Sequence, residues 1–269
     1  MADPIEKSGG LDTFWHPMLS GEFQTLRRGR HLFRMLSPTA HDRCRICLAG
    51  FDGFTAPLMR VMRRGPWRRN PHFCEKCEEV LREHRGGTEI DIAVLYADVR
   101  GSTQMASGMR PIEFAALMQR FFQTATRIFT RSDAVVDKMV GDEVIGIYVP
   151  GLAGSDFRRR AVDAGLELLH ATGNADSGGP WLPIGVGVHT GVAFVGSIGV
   201  EGGNYEFAAL GDTMNFGARL VAAAKAGELV MSEAMWKNVA GKVSADPRSL
   251  QLKGYTEPVQ AHVARVRPG

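Results

Sequence analysis

Beyond Glu89, apolar runs of strand length alternate with segments of helical periodicity, and this order constrains the fold more than any other feature of the sequence. Residues 90–99 predict a strand, and residues 111–129 place apolar side chains at the spacing of an amphipathic helix. Residues 136–148 alternate apolar and polar positions around Gly141. This pattern predicts a hairpin of two antiparallel strands joined by a tight turn.

A second helix is predicted over residues 155–172, with Ser155 as its N-cap. Residues 182–200 have the length of a membrane span, but they contain five Gly, one Pro and a central His-Thr pair. They predict two buried strands around a turn. The resulting order, βαββαβ, predicts a ferredoxin-like α/β sandwich of the α+β class, with helices on one face of a mostly antiparallel sheet.

The four cysteines lie in two CxxC pairs, and none follows the second pair. Cys44 and Cys47 form the first pair, and Cys74 and Cys77 form the second. Four thiolates at this spacing can converge on one Zn²⁺ ion, and iron–sulfur clusters use the same ligands. Since disulfides are rare in a reducing cytoplasm, we expect a metal here and favour zinc over a cluster.

Charge is distributed unevenly along the chain. The formal net charge is +3, but residues 27–69 hold 11 Arg against two Asp, which is +9 and leaves 3 − 9 = −6 for the rest. Such a surface can face solvent or bind phosphate, anionic lipid or an acidic partner. We rank nucleic-acid or membrane-surface binding as the weakest hypothesis, because no aromatic stacking pattern or clear recognition helix is present.

The sequence predicts two domains that meet at Gly86 and Gly87. Residues 1–88 would form an N-terminal regulatory region with a four-cysteine metal site and one amphipathic helix over residues 17–36, and residues 89–269 would form the α/β domain. Residues 1–11 are polar and lack a basic start before an apolar core, so we expect no secretory signal and a cytoplasmic protein without a transmembrane segment.

Two acidic side chains are predicted at strand ends beside glycine turns. Asp98 precedes the sequence Arg-Gly-Ser-Thr, and Asp142 follows the hairpin glycine. If the strands are neighbours, the carboxylates converge on a site suited to Mg²⁺, and paired ions can stabilise both oxygens in phosphoryl transfer. The backbone N–H groups of Gly101, Ser102 and Thr103 can face phosphate oxygens. Alternatively, each aspartate serves only as a turn residue.

A third polar group is predicted on a helix after Gly211 and Asp212. Asn215 and Arg219 lie four residues apart and therefore share one helix face. They can donate hydrogen bonds to the sugar and phosphates of a nucleotide, or they can bond to a neighbouring loop.

These three stretches, in this order, resemble the catalytic domain of class III nucleotidyl cyclases over roughly residues 89–266. The segments at 187–199 and 252–264 also resemble segments of that family. The resemblance implies a head-to-tail homodimer with two shared active sites, each holding two Mg²⁺ or Mn²⁺ ions. It implies in-line attack of the ribose 3′-oxygen on the α-phosphorus of ATP, which releases pyrophosphate and forms the 3′,5′-cyclic nucleotide.

The resemblance also implies roles for individual residues. Metal ions would be held by the carboxylates of Asp98 and Asp142 and by the main-chain carbonyl of Val99. Four further positions match residues that bind or activate the nucleotide: Lys138 for the purine base, Asn215 for the ribose, Arg219 for the transition state and Lys253 for the triphosphate.

Ala208 departs from the family pattern. Adenylyl cyclases usually carry Asp or Thr three residues before the glycine that matches Gly211, and an alanine methyl cannot accept a hydrogen bond from adenine. Guanylyl cyclases typically carry an acidic residue where Lys138 stands. We therefore expect ATP as substrate, with Glu206 or a water replacing the missing acceptor. A guanylyl or mixed-specificity cyclase and a non-catalytic nucleotide-binding module remain alternatives.

Overall fold

A computed structural model describes residues 12–22, 24–200, 203 and 205–266, and the side chains of residues 12, 24 and 138–140 lie outside this description. The chain divides into two compact units. The first comprises Met1–Asp91, Val149–Gly154 and Val192–Leu210, and the second comprises Ile92–Tyr148, Ser155–Gly191 and Gly211–Gly269. The boundary between residues 88 and 89 stays a prediction.

The first unit contains five helices and parts of two long strands among its described residues. Its helices are α1 (Asp12–Ser20), α2 (Gln24–Leu36), α3 (Ala56–Val61), α4 (Glu75–Glu83) and α7 (Pro150–Ala153). Its strands are β1 (Pro66–Trp67), β2 (Asn70–Cys74), β7 (Tyr205–Leu210), the start of β3 (Gly86–Val99) and the end of β6 (Ile184–Gly199). Strands β1 and β2 form an antiparallel pair, and β7 pairs antiparallel with the end of β6.

The second unit is a sheet covered by helices. Its helices are α5 (Ser102–Gly108), α6 (Pro111–Arg131), α8 (Phe157–Ala171), α9 (Asp212–Ala223) and α10 (Glu233–Val239). Its remaining strands are β4 (Val135–Val140), β5 (Glu143–Tyr148), β8 (Glu228–Ser232), β9 (Asp246–Leu250) and β10 (Val259–Arg265). The strand order is β4-β5-β3-β6-β8-β10-β9. The predicted βαββαβ order and the α+β class are confirmed.

Helices cover both faces of this sheet. The missing side chain of Gly165 in α8 leaves room for Leu95 of β3, whereas the missing side chain of Gly217 in α9 leaves room for Val94 and Tyr96. Because successive residues of a strand point to opposite faces, α8 and α9 lie on opposite sides of β3. The expectation of helices on one face holds for α6 and α8, which pack together, but not for α9.

The predicted helix over residues 17–36 is two helices. Gly21 adopts a left-handed conformation, with φ of +92°, and this conformation ends α1. Ser155 is not the N-cap of α8, because the N-cap position belongs to Asp156, whose side chain makes no capping hydrogen bond.

Residues 184–199 form one strand rather than the predicted two. Gly191, which follows the central His-Thr pair, has no positive φ, so the chain continues through it. Strand β6 pairs in parallel with β8 through Val186–Val188 and antiparallel with β7 through Phe194–Gly199. Gly86 and Gly87, predicted as a domain boundary, are the first residues of β3.

None of the helices in the described ranges is both long enough and apolar enough to cross a lipid bilayer.

Replacing Gly217 by alanine should destabilise the protein. The added Cβ would lie 2.6 Å from the Tyr96 ring and 2.8 Å from Val94, so α9 would have to move away from β3. We expect a loss of about 1–3 kcal/mol in the free energy of unfolding, measured by urea denaturation. Gly108 is the matched control, because it is also helical but has nothing within 4 Å of the added methyl. Equal effects of the two substitutions would contradict this packing argument.

Candidate functional site

Backbone pairing brings the two predicted aspartates to one end of the sheet. Strands β3 and β5 are antiparallel neighbours, and Asp98 lies opposite Glu143 in their register. The backbone N–H of Val99 donates to the carbonyl of Asp142 over 3.3 Å. Gly141 supplies the left-handed turn residue, with φ of +63°, which folds β4 back onto β5. The site therefore combines the end of one strand with an adjacent hairpin turn.

The sequence analysis missed two charged residues at this acidic edge, Glu143 and Arg100. Burial and the charges of Asp98 and Asp142 raise the pKa of Glu143 to about 7, and Arg100 opposes the shift. Burial also raises the pKa of Asp98, against the attraction of Arg100, which forms an ion pair with its carboxylate. Glu143 could have been identified because it directly follows Asp142 in the motif Gly-Asp-Glu. Arg100 could have been identified because it directly follows Val99.

These carboxylates suit a hard divalent cation. Neighbouring acidic charges contribute to the raised pKa values of Asp98 and Glu143, so bringing these groups together in their charged form costs free energy. Mg²⁺ and Mn²⁺ prefer oxygen ligands of this kind, and a bound cation would offset the repulsion.

The predicted phosphate-facing turn follows directly. Gly101 has φ of +73° and immediately precedes α5, whose first residues are Ser102 and Thr103. The first N–H groups of a helix have no acceptor within the helix itself. The turn is held in place because the backbone N–H of Arg100 donates to the carbonyl of Pro183 over 2.8 Å.

Helix α9 carries the predicted polar pair on its exposed face. Asn215 and Arg219 are both exposed, whereas Thr213, Gly217 and Leu220 are buried on the other face. Neither side chain makes a hydrogen bond or an ion pair with another residue in the described part of the chain. Their donors are therefore accessible to a ligand.

Tyr255, which the sequence analysis missed, anchors the loop that carries Lys253. Its hydroxyl donates to Asp212 at the start of α9 over 3.2 Å, and its ring packs edge-on against Phe216 with the centroids 5.3 Å apart. Leu252 is buried in the core between α9, β8 and β10. Because Leu252 and Tyr255 are both fixed in this way, the backbone of exposed Lys253 between them is held near α9.

The two positions assigned to base recognition are only partly described. Lys138 lies in β4 at an irregularity in its pairing with β5, and its side chain lies outside the described residues. Ala208 lies in β7 opposite Gly196 and is half-buried. Glu206, two residues earlier, shares its side of the strand, and its carboxylate accepts a hydrogen bond from Asn70 over 3.1 Å.

Residues 87–260 match the family described as the adenylate and guanylate cyclase catalytic domain. The chain belongs to this family. Adenylate cyclase 1 of Rhizobium meliloti (strain 1021) is 27% identical over 135 residues, which cover 48% of this chain and 20% of that protein. Adenylate cyclase of Anabaena cylindrica is 23% identical over 183 residues, which cover 64% of this chain and 36% of that protein. The chain therefore spans well under half the length of these relatives.

Solved cyclase structures share the fold of the catalytic domain. The guanylyl cyclase Cya2 superposes with a TM-score of 0.61 at 25% identity and covers 66% of this chain and 93% of its own. The adenylyl cyclase CyaB from P. aeruginosa gives a TM-score of 0.59 at 23% identity and covers 67% of this chain and 96% of its own. The resemblance inferred from the motifs is confirmed, and residues 87–260 form an adenylate and guanylate cyclase catalytic domain preceded by an N-terminal segment outside the match.

The cysteines lie in that additional segment, outside the region matched to the cyclase family. Among the described residues, Cys44, Cys47, Cys74 and Cys77 are the one group of three or more metal-binding side chains whose ligand atoms lie within 4.8 Å of one another. All four are buried, and no disulfide joins them. A hydrogen bond with Cys44 is the main cause that lowers the pKa of Cys47 and of Cys74. Burial is the main cause that raises the pKa of Cys44, and the hydrogen bond with Cys44 is the main cause that raises the pKa of Cys77.

Two arginines stabilise the cysteine cluster. Arg64 donates hydrogen bonds to the sulfurs of Cys74, at 3.7 Å, and Cys77, at 3.8 Å. Arg30, fully buried in α2, donates to the backbone carbonyls of Arg45 and Ile46, inside the first CxxC pair. Arg64 thus places positive charge beside the sulfurs, and Arg30 holds the backbone between Cys44 and Cys47. The sequence showed an Arg-rich segment but not which arginines face the sulfurs.

Replacing Glu143 by Gln should change how stability depends on pH in protein without added divalent cations. A carboxyl group with a raised folded-state pKa stabilises the fold below its unfolded value of about 4.5, and this contribution is lost as pH rises through about 7. At pH 8 we therefore expect Glu143→Gln to be more stable than the wild type by about 1–2 kcal/mol, with little difference below pH 5.

Urea denaturation across this pH range measures the difference. Glu89→Gln, which changes an exposed acid near the start of β3, should leave the pH profile of the wild type unchanged. A constant difference between Glu143→Gln and the wild type at every pH would contradict the assigned titration.

Proposed function

We propose that this cyclase domain converts ATP to 3′,5′-cyclic AMP and pyrophosphate at active sites shared by two copies of the chain. The observation that carries the proposal is the pairing of β3 with β5, which sets Asp98 beside the turn that holds Asp142. The exposed pair Asn215 and Arg219 on α9 supports it, because their donors are accessible to a nucleotide. The family membership supports the reaction type.

Two divalent cations per site would be held by the carboxylates of Asp98 and Asp142 and by the carbonyl of Val99. When bound, Mg²⁺ or Mn²⁺ would lower the pKa of the ribose 3′-hydroxyl and would place positive charge beside the triphosphate. The acidic edge supplies oxygen ligands of the required chemistry. Arg100 pairs with Asp98 in the structure described here, so this side chain would have to release the carboxylate.

The remaining residues bind and orient the nucleotide. Asn215 donates to the ribose and holds the 3′-oxygen in line with the α-phosphorus. Arg219 stabilises the charge that develops on the α-phosphate, as the bond to the 3′-oxygen forms and the bond to pyrophosphate breaks. Lys253 and the backbone N–H groups of residues 101–103 bind the triphosphate. Asp98 and Asp142 belong to one copy, and Asn215 and Arg219 to the other.

We assign ATP rather than GTP as substrate because Lys138 stands where guanylyl cyclases typically carry an acid. Ala208 weakens the contact to adenine, since it lacks the acceptor that adenylyl cyclases use. Glu206 lies on the same side of β7 and is the nearest acceptor along that strand, although Asn70 already donates to its carboxylate. The missing acceptor also favours a second candidate function, nucleotide binding without turnover.

The decisive experiment supplies ATP and GTP separately to the full chain with Mn²⁺ or Mg²⁺ and identifies the products by mass spectrometry. Cyclic AMP as the main product supports the proposal. Cyclic GMP as the main product contradicts the base assignment, and nucleotide binding without product supports the second candidate. A cytoplasmic location, where ATP and reduced thiols occur together, accompanies the proposal.

Substitution of the acidic edge should abolish turnover. Asp98→Asn and Asp142→Asn should each lower kcat by roughly a thousandfold or more, because each removes a charged ligand for the ions that stabilise the transition state. Glu89→Gln, on the same strand as Asp98 but exposed, is the matched control. Wild-type activity in Asp98→Asn or Asp142→Asn would rule out the assigned metal site.

For the cysteine cluster we propose one Zn²⁺ ion rather than an iron–sulfur cluster. The sulfurs of Cys47 and Cys74 are 3.7 Å apart. A tetrahedral zinc site with Zn–S bonds of about 2.3 Å has sulfur–sulfur edges of about 3.8 Å. A four-iron cluster binds each thiolate to a different iron and therefore needs the sulfurs farther apart. Arg64 offsets part of the net negative charge of four thiolates around one Zn²⁺.

The zinc centre would regulate the cyclase domain through β7. Cys74 ends β2 and Cys77 lies in α4, which packs against β7. Asn70 of β2 donates to the backbone carbonyl of Tyr205 in β7 over 3.3 Å. Because β7 continues directly through Gly211 into α9, loss of the metal would disturb the strand that leads to Asn215 and Arg219. Residues 1–88 would thus act as a regulatory region.

Metal analysis tests the zinc assignment. We expect one zinc per chain, and we expect Arg64→Met to transfer its zinc to a chelator roughly tenfold faster, because charge and hydrogen bonds to the sulfurs are lost. Arg68→Met, which removes an exposed arginine four residues later, should release zinc at the wild-type rate. Iron with inorganic sulfide in anaerobically purified protein would overturn the assignment.

A further inference from the structure

Exposed apolar side chains are concentrated in the arginine-rich segment. Of the large apolar side chains that are exposed in the described residues, four lie at scattered positions between residues 112 and 210, and seven lie between residues 32 and 62. These seven define the apolar patch: Leu32, Met35, Leu36, Phe54, Leu58, Val61 and Met62. Phe54 is 95% exposed and Val61 is 82% exposed, so the patch is not a group of partly covered core residues.

The patch follows helical spacing on two elements. Residues 54, 58, 61 and 62 fall on one side of α3 and its N-terminal flank, and residues 32, 35 and 36 fall on one side of α2. The opposite sides are buried through Met59 and Phe33. Each helix thus has one apolar side in the core and a second apolar side that faces solvent. A helix needed only for the core would carry polar residues on that second side.

Short contacts join the two helices into one surface. The hydroxyl groups of Ser37, after α2, and Thr55, before α3, are 2.8 Å apart. Leu36 and Phe54 directly precede these two residues in the chain. Beyond the other end of α3, the guanidinium of Arg64 lies 5.0 Å from the ring centroid of Phe33 in α2. These contacts connect the two apolar sides through the residues that flank α3.

The surroundings of the patch are strongly basic. Residues 27–69 carry a net charge of +9, and no Glu or Lys occurs among them. Arg60 and Arg68 are exposed and have no ion-pair partner within the described ranges. Large exposed apolar side chains beside a dense positive charge are typical of surfaces that bind an anionic membrane.

We infer that the apolar patch docks the protein on the surface of an anionic lipid bilayer. Phe54 and Val61 would enter the boundary between head groups and acyl chains, and the arginines would bind lipid phosphates. A nucleic acid would satisfy the arginines but leave the aliphatic side chains in water. A second copy would cover the aliphatic side chains but bring two like-charged segments together. A lipid surface satisfies both.

Vesicle flotation of the full chain tests the inference. We expect binding to phosphatidylcholine vesicles that contain about 30% phosphatidylglycerol, little binding to phosphatidylcholine alone, and release by high salt. The double variant Phe54→Ser/Val61→Ser should bind anionic vesicles at least roughly tenfold more weakly, because it loses the two most exposed apolar groups. Arg60→Gln/Arg68→Gln should also weaken binding.

Ile112→Ser is the matched control, because Ile112 is 73% exposed but lies on α6, outside the patch. It should bind vesicles like the wild type. The replaced side chains contact mainly water, so the midpoint of thermal unfolding should be the same in every variant. An unchanged midpoint would show that a variant that no longer binds vesicles is still folded. The assay measures binding and does not depend on cyclase activity.

Three results would overturn the inference. The first is absence of binding to anionic vesicles. The second is binding that is equally strong to neutral and anionic vesicles, or that is unchanged in the variant Phe54→Ser/Val61→Ser. The third is a halved molecular mass of Phe54→Ser/Val61→Ser in light scattering, without vesicle binding by the wild type, which would show that a second copy covers the patch.

Discussion

The antiparallel pairing of β3 with β5 is the interaction on which the candidate active site depends. It aligns Asp98 with Glu143 and places the Asp142 turn at the same sheet end. No side-chain contact is needed to assemble this edge, because backbone hydrogen bonds set the register and the β4–β5 hairpin supplies the second acid. The result is a concentration of negative charge beside a single arginine, Arg100. The mutual repulsion of these carboxylates costs free energy, and a bound divalent cation would offset that cost.

The sequence predicted the elements of the cyclase fold well because their periodicity is strong. Residues 90–99 and 111–129 are long and regular, and Gly141 marks a turn that requires positive φ. The same reasoning failed for residues 184–199, where it predicted a turn inside what is one strand. A glycine in a strand can mark either a turn or a place where another backbone approaches, and only tertiary contacts distinguish these cases. Gly196 of β6 is a place of close backbone approach, because an added Cβ would lie 2.2 Å from the carbonyl of Gly86.

The candidate site was predicted at the level of residue types but not of their partners. Asp98, Asp142, Asn215 and Arg219 lie at the strand ends and on the helix face that spacing predicted. Arg100, Glu143 and Tyr255 were missed, because ion pairs, burial and ring contacts depend on which elements become neighbours. Exposure has the same limit. The sequence predicted α2 as part of an amphipathic helix and gave no prediction for α3, and the structure shows that apolar residues of both are exposed.

The N-terminal segment uses one stretch of chain for two different physical tasks, and the position of each arginine decides which task it serves. Arg64 donates to the cysteine sulfurs, and buried Arg30 donates to the backbone between Cys44 and Cys47. Arg60 and Arg68 are exposed beside the apolar patch. Arg64 also stacks on Phe33, so the cysteine cluster helps to hold α2 near the end of α3. Under the proposals above, loss of a metal bound by the cysteines would loosen the contact between α2 and the end of α3, and lipid binding should depend on an intact cysteine cluster.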